Sequence, residues 1–301
     1  MKKKFLAIGV AAALSVTAVG MMAGCGPTGS GDIGSRITTA ISRTAGSGTR
    51  GAFDELVTGT DRDGNEVALE DMDLDQEWGF SVGTTGQVVT QVAGNPSFLG
   101  YISLGSVAAN TNRIKAVQVE GADATVDSVK AGDYQLSRPF NLIYDAEKVS
   151  ANPLAADFLA YIWSDDGLEI LREEYIDVEK PESVGTYTAG TMTSGSIYLH
   201  GSTSLQPLIE ELAGAYMAEN PGTSITFGGG GSGEALAAVE DGRAVFGMIS
   251  RAAKGDELNY SVMQIAIDGI AVVVHKDSPL TNVTFQQLFD LYAYGTPIEC
   301  A

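Results

Sequence analysis

Three stretches of this sequence share one chemical grammar. Ser202-Thr203-Ser204, Gly231-Ser232-Gly233 and Ser47-Gly48-Thr49 each set small hydroxyl and glycine residues between an apolar run and a helix-like run. Each therefore opens a helix, where unpaired N–H groups and the positive end of the dipole gather. Glycine lets backbone come close to a ligand, and the hydroxyls add donors. Together these features make an anion site without net charge. Any one stretch alone is equally well explained as a helix cap, a routine use of Ser and Thr. All three, with Arg43 and Arg251 nearby in sequence, point to a shared anion. Ser250 precedes Arg251 at the end of an apolar run and joins the set.

Other chemistries lack their residues. No Lys follows the glycines 228–231, so the nucleotide loop GxxxxGK(S/T) is missing. His200 and His275 stand far apart with no Ser-His-Asp set, and His200 is expected to cap or face solvent. Cys25 and Cys300 are the only cysteines, too few for a Cys/His metal cluster. Asp61-Arg62-Asp63-Gly64-Asn65 lacks the final Glu of a calcium loop and is expected to be a polar turn. No cofactor, metal or enzymatic activity is expected. The 301 residues include 38 acidic and 18 basic ones, a net charge of −20. That balance excludes nucleic acid, which needs a basic footprint. It also means that local hydrogen bonds, not the overall field, must hold an anion.

The loops need a scaffold, and the apolar periodicity supplies one. In the second half, strands are expected over 196–199, 224–227, 244–249 and 270–275, with helices over 205–219, 234–240 and 284–292. Leu205, Leu208, Ile209, Leu212 and Tyr216 share one helical face, and Pro207 sits in the first turn. In the first half, strands are expected over 37–42, 100–104 and 140–144. Helices are expected over 51–56, 84–93, 155–164 and 167–175. Alternating strands and helices imply an α/β fold with mixed, largely parallel sheets.

The first residues address the chain. Lys2-Lys3-Lys4 precede an apolar run over 5–20, and Met22-Ala23-Gly24 precede Cys25. This is a secretory signal over 1–24 with a lipobox-like end, although Met22 stands where Leu is more usual. An ordinary signal with a chance Cys is the alternative. A lipid on Cys25 would then hold the protein to the outer face of the cell membrane. Residues 25–36 are expected to serve as a flexible Gly- and Ser-rich tether. Cys300 is left as a free thiol with no assigned role.

Longer motifs carry a family resemblance. Gly201-Ser202-Thr203-Ser204-Leu205-Gln206-Pro207-Leu208 resembles the opening of the phosphate-binding protein family of ABC importers. Gly229-Gly230-Gly231-Ser232-Gly233 and Phe246-Gly247-Met248-Ile249-Ser250-Arg251 are similar to its later loops, and Ile265 to Val272 to a later strand. Ser42-Arg43-Thr44-Ala45-Gly46-Ser47-Gly48-Thr49-Arg50 resembles the family's phosphate loop. The resemblance implies a two-lobed type II periplasmic-binding-protein fold. One lobe would take 37–135 plus 270–301, the other 137–269, with the ligand between them. It implies phosphate contacts from Arg43, Ser47, Gly48, Thr49, Thr203, Ser204, Ser232, Ser250 and Arg251. It further implies a monomer that delivers inorganic phosphate to the permease subunits of an ABC importer. Where many relatives place an acidic acceptor, Ser250-Arg251 stands here, with Asp268 as a substitute candidate. Sulfate or molybdate binding, phosphate sensing without transport, and phosphate-ester hydrolysis are the alternatives. The two halves stand in the reverse of the family's familiar order. This is the pattern of a circular permutation or of a piece of two tandem copies.

The lipid anchor yields the first expected outcome. Cys25→Ser should move the protein from the membrane fraction into the medium. Full retention in the membrane fraction would refute the anchor.

Overall fold

The computed structural model describes residues 35–72, 74 and 79–300; the signal, Cys25 and most of the tether lie outside the described residues. Among the described residues, no helix is long and apolar enough to cross a membrane. Ten strands build one mixed sheet. In chain order they are β1 (Thr39–Arg43), β2 (Gly79–Val82), β3 (Phe98–Ser103), β4 (Ile114–Ala116) and β5 (Ser137–Tyr144). Then follow β6 (Ile176–Asp177), β7 (Gly195–Gly201), β8 (Thr223–Gly229), β9 (Phe246–Ile249) and β10 (Ser261–His275). Across the sheet they run β8-β7-β9-β5-β10-β3-β1-β2, with β4 and β6 also paired to β10. Pairing is parallel toward both edges. Through the middle it is antiparallel, a feature that strand–helix alternation does not foresee.

The helices near the site start where their caps dictate. Ser47 caps α1 (Gly48–Leu56), accepting from Arg50 N. Thr84 and Gln87 form a capping box on α2 (Thr85–Gly94). Pro207 lies in the first turn of α3 (Gln206–Glu219), as expected. Residues Asp61–Asn65 form a turn. It joins the antiparallel pair Thr58–Thr60 and Glu66–Ala68, with Asp61 Oδ1 accepting from Asp63 N and Asn65 N.

Two hydrophobic cores flank the sheet's centre. One gathers Ile41, Phe53, Val88, Tyr101, Val272 and Phe289, with the Phe53 and Tyr101 rings stacked at 3.9 Å. The other gathers Phe140, Phe158, Leu199, Leu212, Phe246 and Ile265. Strand β10 belongs to both. Its Ser261–Gly269 part pairs with β5, and its Ile270–Val274 part pairs with β3. The sequence explains the change of partner. The first part mixes buried residues with exposed or half-buried ones, whereas Ile270-Ala271-Val272-Val273-Val274 is buried throughout, as in a strand covered on both faces.

At the changeover, Asp268 and Arg138 oppose each other in register. Arg138 Nε and Nη2 donate to Asp268 Oδ2 at 3.1 and 2.9 Å, and Ser103 Oγ donates to Oδ1 at 2.8 Å. Both side chains are essentially fully buried, at 1% and 0% exposure. Removing one partner would strand a buried charge. Asp268→Ala should therefore lower stability by about 3–5 kcal/mol. Replacing both residues with apolar ones of similar size should recover much of that loss. Chemical denaturation of the two variants checks this, and equal losses in both would refute it.

Candidate anion-binding site

Arg43 ends β1 and is 1% exposed. Its Nη2 donates to the Gly83 carbonyl at 2.8 Å and to Thr203 Oγ1 at 3.0 Å, and its Nη1 to Thr85 Oγ1 at 3.4 Å. Its Nε is buried with no partner. All its acceptors are neutral. Burial pushes its pKa down to about 10, which leaves it charged at neutral pH.

Hydroxyls from both sides close around this cation. Thr49 Oγ1 and Ser204 Oγ share a 2.7 Å hydrogen bond. Thr85 Oγ1 lies 3.5 Å from both Thr203 Oγ1 and Ser204 Oγ. Behind them, Ser202 Oγ donates to Ser250 Oγ at 2.8 Å, and Ser250 N donates to Ser232 Oγ at 3.1 Å. All these side chains are buried. Gly48 is required by this approach, because a Cβ there would overlap Ser232 Oγ and lie 2.7 Å from Ser250 Oγ. Gly233 N also donates to the Gly46 carbonyl at 2.8 Å, which ties the two glycine loops together.

The three hydroxyl stretches that sequence spacing singles out thus meet in one molecule. Thr85 was not foreseen. Its signal is the same grammar, Gly83-Thr84-Thr85 between a strand and a helix, but β2 is only four residues long and carries little periodicity. Ser47 stays at the edge as the cap of α1. Arg251 is turned away. Its Nη1 and Nη2 donate to the two Glu257 carboxylate oxygens at 2.7 and 2.8 Å. Asp268 is held by Arg138 and Ser103 rather than offered to the cluster. His200 neither caps nor faces solvent, lying between Tyr198 and Glu234 with 3.0 Å contacts to each.

The arrangement can hold a tetrahedral anion. One buried cation, rotatable hydroxyls and the first turns of α1 and α2 supply donors in several directions. Among the described residues, no group of His, Cys, Asp and Glu could hold a metal ion.

Comparison with known proteins agrees with this chemistry. Residues 32–166 and 186–298 match the model of the PBP superfamily domain. Phosphate-binding protein PstS 2 of Streptococcus pneumoniae serotype 4 is 34% identical over 296 residues, covering 97% of this chain and 96% of that protein. Phosphate-binding protein PstS 2 of Streptococcus agalactiae serotype V is 31% identical over 299 residues, covering 98% and 97%. A crystal structure of a phosphate ABC transporter phosphate-binding protein from S. pneumoniae TIGR4 superposes with a TM-score of 0.62. It is 34% identical and covers 87% of this chain and 98% of that one.

Close packing at the glycine loops makes a sharp test. Gly48→Ala should cost about 1–3 kcal/mol through overpacking. Gly51→Ala, within the same helix, meets only Arg251 Cδ at 3.5 Å and should be neutral or mildly stabilising. Denaturation midpoints of the two variants separate these outcomes.

Proposed function

The chain belongs to the PBP superfamily, and from that premise we propose that it captures inorganic phosphate outside the cell and delivers it to an ABC importer. The observation that carries this reading is the convergence on Arg43. Thr85 reaches it from one core's side, and Thr203 from the other's. A phosphate entering between Arg43, Thr49, Thr203, Ser204 and Ser232 would replace hydroxyl–hydroxyl contacts with hydroxyl–oxyanion bonds. Those bonds are charge-assisted and stronger. Arg43 Nε would gain the partner it lacks. Ser250 supports Ser232 and Ser202 from behind, and Arg251 braces the loop through Glu257.

The two cores suggest two lobes, 37–135 with 270–301 against 137–269. Their separation about the β5 and β10 crossing would admit the ligand. Hinge closure would then present a closed form to the permease. Lipid on Cys25 would keep the protein at the outer face of the membrane, within reach of that permease.

The swapped order of the halves fits this reading as well. The streptococcal relatives align over nearly both whole chains, which supports a shared order of the halves. Residues Arg36–Ile37 pair with Ile298–Glu299, so the two outer segments of the fold are neighbours. Adjacent ends are what circular permutation requires.

Thr49→Ala and Ser232→Ala should each weaken phosphate binding by about 1–3 kcal/mol, the cost of leaving a buried partner unpaired. Calorimetry on the folded variants, with mass measured in solution, is the test. One site per monomer is expected. Unchanged affinity with reduced stability would reduce these residues to caps.

A further inference from the structure

We infer that the hydrogen bond from Gly233 N to the Gly46 carbonyl is a latch between the two lobes, one that strengthens anion binding without touching the anion. The inference rests on the phosphate function and lobe closure proposed above. The bond is 2.8 Å long and joins two backbones. Gly46 follows β1, whose Ile41 packs in one core. Gly233 follows β8, whose Ile225 packs in the other.

Each loop presents its half of the bond. Ser47 N donates to the Thr44 carbonyl at 3.1 Å and closes a turn. Gly46 stands third in that turn with φ of 87°, a left-handed conformation that favours glycine. Opposite, Gly231 N donates to the Gly201 carbonyl at 3.1 Å, which braces that loop within its own part of the fold. Gly233 lies in the single turn Ser232–Glu234. The first N–H groups of a helical turn have no partner inside it, and Gly46 supplies one from across the cleft.

The approach leaves no room for a side chain. A Cβ on Gly233 would have the Gly46 Cα, O and C as its nearest neighbours, at 3.1, 3.3 and 3.6 Å. All three belong to the opposing loop, and all are backbone, so the loops would have to part to admit a methyl group. By contrast, a Cβ on Gly51 meets Arg251 Cδ at 3.5 Å, an ordinary contact. The latch stands beside the anion donors on both sides. Gly46 precedes Ser47, Gly48 and Thr49, and Gly233 follows Ser232. Parting the loops there would also stretch the Thr49–Ser204 and Arg43–Thr203 contacts. Apparent affinity falls with the fraction of molecules able to take up the binding-competent form. Obstructing closure therefore weakens binding even with every anion donor retained.

The test combines calorimetric titration with sodium phosphate and small-angle scattering with and without it, on the unaltered protein, Gly233→Ala and Gly51→Ala. The unaltered protein is expected to bind one phosphate and to become more compact. Gly233→Ala keeps the N–H and should still bind one phosphate, but at least about fivefold more weakly and with less compaction. Gly51→Ala should stay within about twofold of the unaltered affinity. A smaller loss in Gly233→Ala, or an equal loss in Gly51→Ala, would overturn the latch and leave the phosphate function standing. Fewer sites at unchanged affinity in Gly233→Ala would reveal a folding defect and overturn it as well. Phosphate binding by the unaltered protein without compaction would overturn lobe closure and the latch together. No phosphate binding by the unaltered protein would overturn the phosphate function and the latch with it.

Discussion

Arg138 and Asp268 face each other across β5 and β10 at the level where β10 leaves one core for the other. Few positions in a fold tolerate an ion pair this deeply buried. Its desolvation must be offset by geometry and by further hydrogen bonds. Here the offset ties the molecule together. Asp268 also accepts from Ser103 at the end of β3, and Arg138 also reaches the Ser250 carbonyl after β9. One pair thus fixes the register of the central strands, links the two cores and anchors a loop of the candidate site. The slip between Gln264 and Ala266 in β10 lies just before it, and the pair stands in the register that follows.

The hydroxyl cluster inherits its geometry from that frame. Arg43 ends β1, and the loops that follow β7 and β9 carry Ser202 to Ser204 and Ser250. Tyr101 holds this same end of β1. Its phenol accepts from Arg43 N at 3.2 Å, and burial raises its pKa so that it stays an uncharged acceptor. The backbone of Arg43 is thereby fixed while its guanidinium is left short of partners.

A chain of net charge −20 is an unpromising host for an anion. Its acidic surface opposes approach at long range, although salt screens that opposition beyond a Debye length. Binding must therefore be decided at contact, where water is excluded and each hydrogen bond is stronger. Burial of Arg43 and its hydroxyl neighbours supplies that condition. Glu257, close to the site in sequence, is paired locally with Arg251.

The sequence by itself determined the alternation of strands and helices, the hydroxyl loops at helix starts and the positive residue Arg43. Those features depend on local spacing, on capping chemistry and on glycine at Gly48, and local physics acts within a few residues. It also supported the signal-like first residues, whose pattern is linear. Pairing across the sheet was not legible. The antiparallel middle and the shared strand β10 arise from contacts between residues more than a hundred positions apart. Arg138 with Asp268 is one such pair, and no local pattern announces which residue a buried charge will meet. The same reason separates Arg43 from Arg251. Both follow strands and looked equivalent, but Arg251 has Glu257 six residues on, whereas Arg43 has only neutral neighbours brought from Gly83, Thr85 and Thr203. Thr85 entered the site for that reason too. Its cap was visible in sequence, but only the parallel pairing of β2 with β1 set it beside the guanidinium.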